Sequence, residues 1–164
     1  MGLKQLLIIR HAKSSWGEIG QKDFDRPLNE RGLSDAPMMA KRMLEKKVGI
    51  DGFISSTAKR AITTAGNFAD VYQFPQKEIQ GLTQLYHAYP KDFYQVVSQL
   101  KDTIMTAALF SHNPGITEWV NQLSSTHIDN MPTCGIFAIK ADILHWNEFQ
   151  IGLKTFWFFD YPKH

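Results

Sequence analysis

Apolar residues along the chain alternate between short continuous runs and longer stripes at helical spacing. The segment "LKQLLIIR" (3–10) is almost unbroken in apolar residues, as expected of a central strand covered on both faces. After a polar stretch, Leu33, Ala36, Ala40, Met43 and Leu44 recur at helical spacing. Ser34 is the expected N-cap of that helix, which places Pro37 in the first turn, where its missing N–H is harmless. "DGFISS" (51–56) reads as a second strand, and Ala58, Ala61, Ile62, Ala65, Phe68, Ala69 and Tyr72 form the next apolar stripe.

"KEIQGL" (77–82) is a weaker strand pattern. Pro90 suits a first helical turn, with Phe93, Val96, Val97 and Leu100 directed inward. "TIMTAALF" (103–110) predicts a strand, and Asn113-Pro114 predicts the cap and first position of a helix carrying Ile116, Trp119, Val120 and Leu123. "CGIFAIK" (134–140) and "TFWFFDY" (155–161) are late strands with no helical pattern between them, so an antiparallel edge is expected there. The alternation predicts an α/β fold of three layers, an open and mostly parallel sheet with helices on both faces and a late, partly antiparallel edge. No repeat, low-complexity segment or Gly/Ser/Pro-rich linker interrupts it. Residues 1–164 are read as a single domain, large enough to bury a core without staples.

Composition narrows the function without naming it. Of the 164 residues 43% are apolar and 21% charged, ordinary values for a globular protein. The net charge of +2 and the lack of a long basic block argue against a nucleic-acid partner. "KRMLEKK" (41–47) contains Glu45 and reads as a solvated helix end. Cys134 is the only cysteine, so neither an intrachain disulfide nor a cysteine zinc site is available, and a buried packing role is expected. "QLLII" near the start is too short for a signal peptide or membrane span. A cytoplasmic monomer with no membrane contact is the expectation.

In an open α/β sheet, ligands bind outside the carboxyl ends of the strands. The first strand ends at Arg10-His11, the second leads into "SST" with Arg60 just beyond, and the fourth ends before Ser111-His112-Asn113. Two histidines at strand tips with two arginines beside them suit phosphoryl transfer. Guanidinium forks match phosphate oxygens, and a neutral imidazole is a competent nucleophile. Positive neighbours keep that imidazole neutral and supply the charge that Mg²⁺ gives elsewhere, so no metal or other cofactor is expected. A metal site built from His11, His87 and His112 matches no ligand spacing, and the arginines would repel the cation.

"RHAKSSW", "SSTAKRAITTA" and "SHNPGI" resemble, in order and position, the signature segments of the histidine phosphatase superfamily, with Thr57 where the family segment has proline. "DRPLNERG", "MPTCGI" and the late Pro162-Lys163 are similar to the short SixA-type phosphohistidine phosphatases within it. The resemblance spans nearly the whole chain and implies a phosphoglycerate-mutase-like fold. It also implies His11 as the nucleophile that becomes phosphorylated, Arg10 and Arg60 as the phosphoryl clamp, and His112 as the group completing the pocket. Arg26 contacts phosphate or substrate on this reading, or else pins its loop by an ion pair; Ser14 offers a hydroxyl to phosphate, or caps a turn.

Many phosphoesterases of this superfamily carry an acid after the third strand, and Gln84 stands at the aligned position. An alkoxide leaving group needs a proton donor, whereas an imidazole does not. The expected substrate is therefore phosphohistidine on a partner protein, met in an open pocket, with Trp16 beside the nucleophile loop as the candidate aromatic for protein contact if it is exposed and an ordinary packing residue if it is buried. His87 and Asp25 are the alternative proton donors, His87 being read first as a surface residue. The rival readings are a small-molecule phosphomonoesterase, a mutase, and a non-catalytic phosphate-binding module. Trp146, Phe149, Phe156, Trp157, Phe158 and Phe159 are read as core covering one end of the sheet.

Overall fold

A computed structural model describes residues 3–16 and 18–164. Strand β1 (Lys4–Arg10) leads through a long loop to helix α1 (Glu30–Glu45), followed by β2 (Gly52–Ser55), α2 (Lys59–Val71) and the two-residue β3 (Gln80–Gly81). Then come α3 (Pro90–Ser98), β4 (Thr106–Ser111), α4 (Gly115–Leu123), β5 (Ile136–Asp142) and β6 (Leu153–Asp160). The strands form one sheet ordered β3-β2-β4-β1-β5-β6. The first four in that order are mutually parallel, and β5 and β6 add an antiparallel edge.

The unbroken apolar run of β1 follows from cover on both sides. Leu6 and Ile8 pack with α3 and α4 on one face, and Leu7 and Ile9 pack with α1 and α2 on the other. Register does the functional work. Arg10 lies opposite Ser111 in the β1–β4 pairing, so the next residues, His11 and His112, leave neighbouring strand ends together. The His11 N–H donates to the Ser111 carbonyl at 3.1 Å, holding the two tips in step.

Three local expectations are corrected. The N-cap of α1 is Asn29, whose Oδ1 accepts the Gly32 N–H at 2.9 Å; Ser34 lies inside the helix. Pro37 is therefore in the helix interior and leaves the Leu33 carbonyl without its usual backbone donor, a loss that solvent can offset because Leu33 is on the exposed side. Leu33 and Leu44 are exposed, and the buried stripe is Gly32, Ala36, Met39, Ala40 and Met43. Gly32 is needed there because a Cβ would stand 2.1 Å from the Lys13 carbonyl oxygen, so α1 starts in direct contact with the loop that follows His11. At the other helix, Pro114 is the N-cap of α4, one position later than expected.

The aromatic residues also divide differently. Trp146 and Phe149 are fully buried, Phe156 and Phe159 pack on the α3/α4 side, and Trp157 and Phe158 pack on the α1/α2 side. The register between β5 and β6 shifts at Ala138/Ile139 and skips Trp157, a bulge that breaks the simple alternation of faces. Among the described residues, no helix is long and apolar enough to cross a membrane.

Candidate active site

The ends of β1, β2 and β4 converge on a cavity of about 260 Å³ lined by Arg10, His11, Arg60 and His112, with Ser14 and Arg26 at its side. Lys13 and Trp16 form its exposed rim. All six residues singled out in the sequence meet here.

His11 is 6% exposed, and its Nδ1 lies 2.7 Å from the Ala12 carbonyl oxygen. A carbonyl only accepts, so Nδ1 carries the ring proton and Nε2 keeps a free lone pair. Nε2 receives the Arg60 Nε–H at 3.4 Å. Burial, and then the charges of Arg10, Arg60 and Arg26, lower the His11 pKa to about 3 against the opposing pull of the Ala12 bond. Burial outweighs the arginines, which were the only cause legible in the sequence. The ring is neutral at physiological pH.

The loop holding His11 is fixed from two sides. The Ala12 N–H donates to Thr64 Oγ1 at 3.0 Å, and that hydroxyl donates to the Arg60 carbonyl at 2.7 Å. From the other side the Cys134 N–H donates to the Arg10 and His11 carbonyls, with Cys134 held at a φ of 59°. Arg10 Nη1 donates to the Met131 carbonyl at 2.9 Å, while its buried Nε has no protein partner. His112 Nε2 lies 2.8 Å from Ser56 Oγ, which already accepts the Ala58 N–H and has its own proton to give. His112 Nδ1 is buried without a partner, 6% of the residue being exposed. Burial, then the charges of His11 and Arg60, lower the His112 pKa to about 2. The two imidazole centroids are 5.2 Å apart.

Asp23 joins this network, and the sequence reading did not identify it. It sits in a 3-10 turn (Asp23–Asp25) of the loop before α1. Its Oδ2 accepts the Tyr86 hydroxyl at 2.6 Å and Arg60 Nη2 at 3.0 Å, its Oδ1 accepts Arg26 Nη1 at 2.8 Å, and its carbonyl accepts Arg60 Nη1 at 2.7 Å. The Tyr86 bond first, then those from Arg26 and Arg60, hold its carboxyl far below the usual carboxylate range. Arg26 Nη2 donates to Ser14 Oγ and Nε to the Ser15 carbonyl at 2.9 Å. Arg26 thus pins its loop by an ion pair and lines the cavity as well. The Ser14 Oγ accepts from Arg26 and keeps its own proton to give at the cavity, and Ser14 pairs with Leu28 in an isolated bridge.

Gln84 is not at the cavity; its Nε2 donates to Gln95 Oε1 at 2.7 Å. Asp25 is exposed and also outside the lining. His87 is exposed, packs at a tilt of 39° against Tyr86 with centroids 3.9 Å apart, and lines a neighbouring cavity instead. Trp16 is 83% exposed, with the Arg26 guanidinium 4.2 Å from its ring centroid. Thr64 and Ser56 lay within the quoted segments, but a pattern alone does not say which hydroxyl supports which ring. Asp23 left no such signal, because its partners are brought to it only by folding.

Comparison with known proteins places this geometry. An uncharacterized chloroplastic protein of Arabidopsis thaliana is 27% identical over 153 residues, covering 88% of this chain and 70% of that protein. A protein of Agrobacterium tumefaciens assigned as phosphohistidine phosphatase SixA superposes with a TM-score of 0.82 at 22% identity, covering 97% of this chain and 98% of that one. The protein histidine phosphatase SixA complexed with tungstate matches with the same TM-score and identity, covering 97% of each chain. The fold is that of these proteins, a mixed sheet with four helices and an antiparallel edge. The model of the histidine phosphatase superfamily (branch 1) matches residues 6–88, just over half of the chain, on the segment that carries Arg10, His11 and Arg60. The chain belongs to the histidine phosphatase superfamily.

Proposed function

We propose that this phosphatase removes the phosphoryl group from a phosphohistidine displayed on a partner protein, through a phosphorylated His11. The observation that carries the reading is the state of His11: buried, neutral, with Nδ1 tied to the Ala12 carbonyl and Nε2 left as the nucleophile. The Nε2 lone pair attacks phosphorus, the bond to the leaving group breaks, and the leaving group keeps the electron pair. Water then hydrolyses the phosphohistidine on His11. The Arg60 Nε–H donates toward Nε2 in the resting site and turns to a phosphoryl oxygen once the group arrives. Arg10 Nε and His112 Nδ1, both buried without protein partners, supply further donors for the charge that builds in the transition state. Arg26, Arg10 and Arg60 provide the positive charge that metal ions supply at other phosphoryl-transfer sites, so the reaction runs without a metal.

The choice of leaving group rests on the two groups best placed for the acid's role, the aligned Gln84 and the clamp carboxylate Asp23. Gln84 cannot protonate anything, and its carboxamide is engaged with Gln95. Asp23, the carboxylate tied to the clamp, is held ionised by Tyr86, Arg26 and Arg60 and is no acid. General acid catalysis contributes about 10²–10⁴-fold, and an alkoxide deprived of it leaves slowly. An imidazole, whose conjugate acid has a pKa near ~6.5, leaves well unaided. The exposed rim at Trp16 and Lys13 suits a substrate carried on a protein. The likeness to the SixA structures supports the same reading.

The test compares single-turnover dephosphorylation of a phosphohistidine carrier protein with that of p-nitrophenyl phosphate, using wild type and His11→Ala. Fast, His11-dependent loss from phosphohistidine with slow ester turnover is expected. Equal or faster ester hydrolysis would overturn the leaving-group assignment in favour of a phosphomonoesterase. Phosphate binding without turnover of either substrate would favour the non-catalytic module.

A further inference from the structure

A second cavity, of about 130 Å³, adjoins the first and shares His112 and Asn113 with it. Its other walls come from the segment before α3 (His87, Ala88, Tyr89) and from the start of α4, where the exposed Glu118 is the one acidic residue of the lining. The wall between the two elements is closed by contact. A Cβ on Gly115 would stand 2.0 Å from the Ala88 carbonyl oxygen, so only glycine lets α4 meet that segment. Ligand pockets for whole metabolites measure ~300–1,000 Å³, so this one is sized for a single small ring rather than a sugar or nucleotide. Its shared wall, His112, is the residue whose buried Nδ1 has no protein partner.

We propose that this cavity receives the departing imidazole of the phosphohistidine substrate, and that Glu118 accepts a hydrogen bond from the ring nitrogen that does not carry phosphorus. The inference rests on the phosphohistidine reading and assigns its leaving-group subsite. The chemistry balances without a proton donor. Glu118 favours the phosphoimidazolium form, which keeps a proton on the distal nitrogen. His11 Nε2 forms its bond to phosphorus as the substrate's P–N bond breaks. The electron pair stays on the substrate ring, which departs as neutral imidazole with its N–H still in place. An ester gains nothing from this contact, since its leaving oxygen has no second nitrogen to hold. Glu118 therefore discriminates P–N from P–O substrates, in a site where Gln84 supplies no acid.

The other titratable groups around the cavity are His87 and Tyr89 from the segment before α3 and the neutral His112 at the end of β4, with Arg10 and Arg60 beyond it in the first cavity. All of them are common to wild type and the test variants, so their contribution cancels in the comparison.

The experiment uses phosphoimidazole and p-nitrophenyl phosphate with the full-length protein, wild type against Glu118→Gln and Glu118→Asp. An opposite charge at contact distance favours a cationic form by about 1–3 pKa units. Glu118→Gln should therefore lower kcat/KM for phosphoimidazole about tenfold or more at pH 8, and should move the alkaline limb of its pH profile down by about one unit. Formation of phosphorylated His11 should slow, its hydrolysis should not, and p-nitrophenyl phosphate turnover should stay within about twofold. Glu118→Asp should restore much of the loss, a rescue that a merely structural role would not give. Equal effects on both substrates, or no shift of the pH limb, would overturn the inference and leave the proposed function standing. Failure of the wild type to transfer from phosphoimidazole to His11, with ester turnover intact, would overturn both.

Discussion

Thr64 offers a direct test of how the fold holds its nucleophile. It is fully buried, and its Oγ1 stands between the Ala12 N–H at 3.0 Å and the Arg60 carbonyl at 2.7 Å, linking the residue after His11 to the backbone of Arg60. Thr64→Val keeps the shape but removes the acceptor. Ala12 is fully buried too, so its N–H loses its partner without gaining water. Leaving a buried donor unsatisfied costs about 1–3 kcal/mol. For a chain of this length that lowers the thermal midpoint by roughly 3–10 °C. The methyl that replaces Oγ1 cannot approach the amide as closely as an oxygen acceptor, so the loop must also move by a few tenths of an ångström. Small displacements of a nucleophile are expensive, a 1 Å error costing up to about 10²-fold, so phosphorylation of His11 should slow by about 10–10²-fold. Thr64→Ser is the control: it keeps the hydroxyl and loses about 0.8 kcal/mol of methyl burial, with a rate within about twofold of wild type. Thermal unfolding and single-turnover phosphorylation read both effects. A valine variant as stable and as fast as wild type, or a serine variant as damaged as the valine one, would refute the proposed support.

The two buried histidines also make stability depend on pH. Their folded pKa values lie well below the unfolded value near ~6.5, so below pH 6.5 the unfolded chain binds more protons than the folded one. The stability they contribute is full above that pH and is lost as pH falls toward 3. Between pH 7 and 5 the loss should reach up to about 4 kcal/mol for the pair, and a denaturation series should show roughly half that slope in His112→Ala; a slope unchanged by the substitution would contradict the burial argument. Arg60→Lys should lower the rate of His11 phosphorylation about 10²-fold or more, because an ammonium cannot reach His11 and both acceptors of Asp23 at once; stopped-flow measurement within tenfold of wild type would argue against the clamp. Trp16→Ala should leave stability within about 0.5 kcal/mol, since the ring is 83% exposed, and should raise KM several-fold for a carrier protein but not for p-nitrophenyl phosphate. Saturating EDTA should leave turnover unchanged in a standard phosphate-release assay.

His11 and His112 were legible because an unbroken apolar run marks a central strand, and the residue that ends it must emerge at the sheet edge. Arg60 was legible from its place just after the second such run. What sequence could not give was the wiring between them. Asp23 reaches Arg60, Arg26 and Tyr86 only through a 3-10 turn in a loop whose course carries no hydrophobic period. The carbonyls of Ala12 and Met131 act through the backbone, which no residue code records. The start of α1 was misplaced because Ser34 and Asn29 are both good caps, and Pro37 argued for the later one; contact of Gly32 with the Lys13 carbonyl decides for the earlier. Leu33 and Leu44 matched the helical period but fall outside the buried stripe, which runs through Gly32, Ala36 and Ala40, where α1 packs closely, and through Met39 and Met43. The late aromatics followed the bulge at Trp157, a feature that one skipped pairing creates and a pattern of alternation cannot show.

The central claim is that His11 becomes phosphorylated. The most direct measurement mixes wild type with a phosphohistidine carrier, quenches within the first turnover under alkaline conditions that preserve phosphohistidine, and maps the modified peptide by mass spectrometry. The account predicts a phosphoryl group on the peptide containing His11, absent in His11→Ala and lost on acid treatment. Turnover with no label on His11, or with the label on His112 or His87, would contradict it.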